Sequence, residues 1–239
     1  MDEGARRHGV VVAFTDRTGV GSEPPYDTLN LSLSVGDRRE DVLANRRRVA
    51  AALDLAPGDL VLARQQHGTT LLRAGRRRRG LAGEGDGLLT RHRGPVLGML
   101  AADCATVVVV GSCGLAVAHA GWRGLAGGMV PRAVAAVAPA WAAWVGPAIG
   151  ACCYEVGPEV VHAFERVELP VNADRAHVEV GRTAVTAVRA AGVEQVTAVG
   201  GCTACGDRWF SHRRDAGRTG RHGAFAALVR PTGERPVLS

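Results

Sequence analysis

Three residues of the kinds that bind soft metals each stand at the end of an apolar, strand-like run. They are His67 in Gln65-Gln66-His67-Gly68, Cys104 in Ala102-Asp103-Cys104, and His119 in His119-Ala120-Gly121-Trp122-Arg123-Gly124. Two imidazoles and a thiolate are the donor set of a catalytic zinc site, which keeps its fourth position for water or substrate. No two of the three share a short ligand motif, so only a fold can unite them. Glycine beside or near each histidine, and Asp103 beside the cysteine, suit a place where backbone approaches a ligand closely. The same residues permit a second chemistry, with Cys104 as a nucleophile and His119 as its base, in a hydrolase or amidase acting on a peptidoglycan precursor.

Other groups compete for these roles. Cys202-Thr203-Ala204-Cys205 has the spacing of half a zinc site or of a redox pair, but no second such pair accompanies it. Gly201 stands where the zinc deaminase signature has proline, and no His-x-Glu precedes it, so a cytidine-deaminase fold is disfavoured. Gly121-Trp122-Arg123-Gly124 joins a strand to a helix, a geometry that turns backbone N–H groups toward an anion. Arg17, Arg123, Arg213 and Arg214 are candidate grips for phosphate or carboxylate.

All 29 basic residues are arginine. Without lysine the chain forms no Schiff base with pyridoxal phosphate or a sugar, has no Gly-Lys-Ser/Thr phosphate loop, and uses no lysine base. A net charge of +6 raises a nucleic-acid reading. The charge is dispersed, however, and its one dense block, Arg76 to Arg79, leads into the glycine-rich stretch from Gly80 to Gly87 and reads as a solvated loop tip. Six cysteines in 239 residues, two of them adjacent at Cys152-Cys153, do not make a disulfide scaffold, and no secretory signal precedes the short run Val10 to Phe14. A reduced, cytoplasmic protein is expected. The nearly uncharged stretch from Val96 to Ala120 is long enough for a membrane span, but Asp103, His119 and the break Gly111-Ser112-Cys113-Gly114 argue for strands instead.

The elements that must position these groups follow from hydrophobic patterning. Strands are expected at Val10 to Thr15, Leu60 to Arg64, Val96 to Ala101, Thr106 to Val110, Leu115 to His119, Trp141 to Val145, Val193 to Val199 and Ala224 to Val229. An amphipathic helix is expected over Arg39 to Leu53, with Asn45 on its polar side. Further helices are expected over Leu125 to Ala138, kinked or delayed by Pro131, and over Pro158 to Phe164 and Arg182 to Ala191. With no repeat and no polar linker, residues 1–239 read as one α+β domain.

Several segments together resemble the YfiH family, known both as laccase-like polyphenol oxidases and as purine nucleoside phosphorylases. They are Phe14-Thr15-Asp16-Arg17, Asn30-Leu31, Asn45-Arg46, Gln65 to Gly68, Asp86-Gly87 to Thr90, Ala102 to Cys104, His119 to Gly124, Gly146 to Gly150 with Cys153 to Gly157, Cys202-Thr203, and Phe210 to Asp215 with Thr219 to Arg221. The resemblance implies an α/β/β/α layered sandwich with mixed sheets. It implies a metal site of His67, Cys104 and His119, holding zinc, or copper as the alternative. It also implies phosphorolysis of adenosine, inosine, guanosine and methylthioadenosine, together with adenosine deamination. Arg17, Arg123 and Arg214 are then expected on phosphate and Asn30 on substrate hydroxyls, with Asp103 and Glu155 the carboxylates nearest the motifs. The family's usual Gly-Gly-Val-Ser after the arginine is replaced by Thr18-Gly19-Val20-Gly21-Ser22, and His212 stands where tyrosine is usual.

The expected partners are therefore purine nucleosides and phosphate, with no nucleic acid and no membrane, and the expected state is a monomer or weak homodimer. A laccase with several copper centres ordinarily uses His-x-His pairs, and the eight histidines here include none. The non-enzymatic alternative is a basic interaction module acting through Arg76 to Arg79.

Overall fold

The computed structural model describes residues 9–170 and 176–231. Two mixed sheets form its centre. The five-stranded sheet runs β1 (Val10–Phe14), β11 (His222–Leu228), β6 (Val96–Ala101), β2 (Leu60–Arg64), β4 (Gly80–Glu84). The six-stranded sheet runs β10 (Gln195–Ala198), β9 (Ala140–Val145), β7 (Ala105–Gly111), β8 (Gly114–Ala120), β5 (Gly87–Thr90), β3 (Leu71–Arg73). Strand β2 pairs in parallel with β4 and β6, and β3 with β5 and β9 with β10, whereas β7 pairs antiparallel with β8 and β9.

Side-chain alternation assembles these sheets into layers. On β7, Val107 and Val109 face one apolar cluster while Val108 and Val110 face another, so the strand is buried on both sides and reads as an unbroken valine run. The Val108 side meets Val10, Val12, Leu97 and Met99 of the five-stranded sheet. The Val107 side meets helices α3 (Met129–Val137), α4 (Pro158–Glu165) and α5 (Val180–Ala190). Helix α1 (Arg39–Ala52) covers the outer face of the five-stranded sheet, where Val49 packs with Val11, Leu60, Leu62 and Phe225. The order of layers is α/β/β/α, as the resemblance implies.

The structure corrects several local expectations. The stretch Gly80 to Gly87 is not a loop, since Gly80–Glu84 is an edge strand held by backbone pairing to β2, which needs no apolar side chains. The Arg76 to Arg79 run forms the exposed turn before it, with Arg79 paired to Asp59 at 2.6 Å. Helix formation after His119 begins at Trp122 as the short α2 (Trp122–Ala126). The break follows at Gly127 and Gly128, whose φ of 82° suits glycine, and Pro131 sits harmlessly in the first turn of α3. Asn45 faces inward, fully buried, where its amide donates to Asn30 O at 2.9 Å and Ser22 Oγ at 3.0 Å. Among the described residues no helix is long and apolar enough to cross a membrane, and Val96 to Ala120 is β6, β7 and β8.

Candidate functional site

Three chain passages converge at one end of the sheets. Strand β2 runs out at Arg64 and delivers His67 in a left-handed conformation, φ 58°. Strand β6 ends in the five-stranded sheet and β7 starts in the other, so here the chain passes between sheets in the three residues Ala102-Asp103-Cys104, with Asp103 at φ 88°. Strand β8 carries His119 as its penultimate residue, buried opposite Thr106 of β7. Positive φ at residues other than glycine is strained, and two such residues here lie beside the same sulfur.

The ligand atoms of His67, Cys104 and His119 lie within 4.8 Å of one another. The two imidazole rings meet edge to face with centroids 5.0 Å apart. Gly121 makes room for them, because a Cβ there would stand 2.7 Å from Cys104 Sγ.

Asp86, fully buried in the turn before β5, organises the set. It accepts backbone N–H bonds from Gln66 at 3.0 Å, His67 at 2.9 Å and Gly68 at 2.8 Å. It also meets His119 Nδ1 at 2.9 Å, which leaves Nε2 for the cluster. A carboxylate fixing the far nitrogen of a ligating histidine is the usual support of a metal site. Burial alone would raise the Asp86 carboxyl, but the His119 and backbone hydrogen bonds outweigh it and hold it below the ordinary carboxylate value. Burial likewise opposes ionisation of Cys104, yet His119 and His67 bring the thiol down to about 6. Burial would lower His119, but the Cys104 thiolate and Asp86 push it up to about 9. A thiolate is thus available at neutral pH, and its donor set of one sulfur and two nitrogens fits zinc or copper.

The cluster lies in a cleft of about 1250 Å³, lined also by Leu100, Trp122, Arg123, Tyr154, His212, Arg213, Arg221 and Arg46. Arg123 lies over Trp122, 4.3 Å from the ring centroid, and Arg213 lies over Tyr154 at 5.0 Å. Burial, then the Cys104 thiolate, keeps the Tyr154 hydroxyl above its ordinary value, so it is an O–H donor.

Of the residues expected to grip an anion or touch substrate, Arg123 and Arg213 line this cleft, whereas Arg17, Asn30 and Arg214 do not. Arg17 is tied to Asp27 O at 2.8 Å and Asp27 Oδ2 at 2.9 Å. Asn30 is fully buried, donating to Ser32 O and Asp37 Oδ2 and accepting from the N–H groups of Ser32 and Arg221. Arg214 donates to Asp215, Thr203 O, Gly206 O and Trp209 O. These three hold loops around the cleft. Asp103 is committed in the same way, accepting from Thr203 Oγ1 at 2.6 Å and from Arg213 N at 2.7 Å. Glu155 offers its backbone carbonyl to Arg213 Nη1 at 3.0 Å. Sequence reasoning gave no role to Asp86, although it stands in one of the resembling segments, nor to Tyr154, Arg221 and Arg46.

The family model described as multi-copper polyphenol oxidoreductase laccase matches residues 11–229. Purine nucleoside phosphorylase YfiH of Escherichia coli K12 is 35% identical over 239 residues, spanning 92% of this chain and 95% of that protein. Purine nucleoside phosphorylase YlmD of Geobacillus stearothermophilus is 36% identical over 248 residues, spanning 91% and 89%. The crystal structure of YlmD from that organism superposes with a TM-score of 0.85 at 34% identity, covering 94% of each chain. That of the Bacillus licheniformis hypothetical protein YfiH gives 0.84 at 30% identity, covering 92% and 93%.

Proposed function

The chain belongs to the family described as multi-copper polyphenol oxidoreductase laccase, the YfiH-like proteins, and we propose that it is a zinc-dependent purine nucleoside phosphorylase that also deaminates adenosine. The observation that carries this reading is the cluster of His67, Cys104 and His119 at an arginine-lined cleft roomy enough for a nucleoside and phosphate. Relatives named for purine nucleoside phosphorolysis support it. Adenosine, inosine, guanosine and methylthioadenosine are the substrates proposed.

His67, Cys104 and His119 would hold the ion, and Asp86 fixes the orientation of two of them. Bound there, the ion supplies Lewis acidity and acidifies a water, the chemistry that deamination of a purine needs. In phosphorolysis the glycosidic bond loosens toward a cationic ribosyl group while phosphate attacks the anomeric carbon. Arg123 and Arg213, replacing Arg17 and Arg214 in that role, take the phosphate through their forked donors. The faces of Trp122 and Tyr154 supply stacking surface for the base. Tyr154, still protonated, donates toward the leaving purine, a role that Asp103 cannot fill with both carboxylate oxygens engaged.

The family description names several coppers, yet among the described residues only one metal-capable cluster contains histidine. That donor set is too small for a multi-copper oxidase. A second reading has its own support, because Cys104, His119 and Asp86 also form the thiolate, imidazole and carboxylate series of a cysteine hydrolase. His67 weighs against it, since a nucleophile needs one base whereas a metal needs the second nitrogen.

Incubation of the protein, with zinc added, with adenosine, inosine or methylthioadenosine, with and without phosphate, tests these readings. Free base is expected only with phosphate, and inosine is expected from adenosine. Activity that survives chelation but not thiol alkylation would transfer the site to the hydrolase reading. Stoichiometric copper with a blue absorption band in protein purified without added metal would overturn zinc.

A further inference from the structure

Four cysteines outside the cleft cluster come together from distant parts of the chain. The sulfurs of Cys152, Cys153, Cys202 and Cys205 lie within 4.8 Å of one another. Cys205 Sγ stands 3.2 Å from Cys152 Sγ and 3.5 Å from Cys153 Sγ. Cys202 Sγ accepts the Gly150 N–H at 3.2 Å, a bond that favours sulfur as thiolate. The two segments are already aligned by a parallel bridge between Ala148 and Cys202 and by Thr203 N donating to Ala148 O at 3.2 Å. Cys202-Thr203-Ala204-Cys205 lacked a partner pair in the sequence, and the fold supplies one as Cys152-Cys153.

All four are free thiols. A single disulfide would use only two of them and leave the other pair crowded beside it. Zinc–sulfur bonds of about 2.3 Å around a tetrahedron place sulfurs about 3.8 Å apart, and the cluster needs only small adjustments to reach that spacing. Four soft thiolates select a soft, tetrahedral divalent ion over hard cations.

We propose that Cys152, Cys153, Cys202 and Cys205 form a second, structural metal site that binds one zinc ion as a tetrathiolate. Each protonated thiol releases its proton on binding, so uptake of the ion is coupled to proton release. The ion pins the turn at 150–153 to the segment at 202–205. Both lead directly into the cleft wall, through Tyr154 next to Cys153 and through Thr203, which donates to Asp103. The site has no open position and no substrate, and it stands whether or not the cleft carries out phosphorolysis.

Cobalt titration of reduced, metal-free Cys104→Ser protein tests the proposal, because the cleft cluster then has no thiolate. One equivalent of cobalt should give strong sulfur-to-cobalt charge-transfer and tetrahedral d–d bands, and one equivalent of zinc should bleach them. Adding Cys205→Ser, at an exposed position, should abolish the tetrathiolate spectrum while circular dichroism stays unchanged. If that variant fails to fold, Cys152→Ser serves in its place with the same expectation. Absence of thiolate bands, bands unaffected by these serines, or a metal-free protein lighter by two hydrogens through a disulfide would each overturn the assignment.

Discussion

A single carboxylate decides whether the three clustered residues of the cleft act as a set. Asp86 receives three backbone N–H groups from the segment carrying His67 and holds the imidazole of His119, so it orients both histidines at once. Asp86→Asn sets an amide N–H₂ against those donors and removes the charge that favours the His119 tautomer. We expect it to weaken zinc binding by roughly 10–100-fold, read by competition with a chromogenic chelator. Gly121→Ala acts from the other side, since its methyl would lie 2.7 Å from Cys104 Sγ. Displacing the sulfur by a fraction of its bond length should lower turnover by about 100-fold, with far-ultraviolet circular dichroism unchanged. The three residues that cluster in the cleft were legible from residue type and position at strand ends. Asp86 was not, because its value lies in hydrogen bonds to backbone 18 to 20 residues away, which no sequence spacing encodes.

At the scale of elements, the runs that patterning found most readily are those buried on both faces. Thr106 to Val110 and Leu115 to His119 match β7 and β8 because every position in them is apolar or inward. Strand β4 escaped because an edge strand of two glycines, leucine, alanine and glutamate needs only its backbone pairing to β2. The helix after His119 divides at Gly127 and Gly128 rather than at the proline, which only fixes φ within the first turn of α3. Which arginines line the cleft was not legible for a related reason, in that Arg17 and Arg214 carry the same charge as Arg123 but turn inward to carbonyls and carboxylates. Strand β6 is central in its sheet and leads into Asp103 and Cys104, so its packing bears on the site. Leu97→Ala, at a fully buried position between the sheets, should cost about 2–5 kcal/mol in urea denaturation.

For the molecule as a whole, acid sensitivity should centre on His222. Both its ring nitrogens are buried without a hydrogen-bond partner among the described residues, and it stacks on Phe210. Burial, then the Arg221 charge, holds its imidazole down at about 3. Between that value and the ordinary 6.5, the unfolded chain takes up a proton that the folded chain refuses. Stability from this source is therefore complete above the ordinary value and falls by about 1.4 kcal/mol per pH unit below it. His222→Leu should flatten that slope in urea melts taken from about pH 4 to about pH 7. Patterning gave one α+β domain and the family resemblance alone implied the four layers, whereas the sheet-to-sheet passage at 102–104 became visible only in three dimensions. That passage makes the cleft cluster a check on assembly. A slip of one residue in β6 would shift the start of the 102–104 passage by about 3.4 Å and draw Cys104 out of place against both histidines, so a wrongly paired chain would lose the cluster. Metal held by the proposed cleft site, counted apart from any on the four cysteines, would thereby gauge the fraction of molecules whose two sheets are in register.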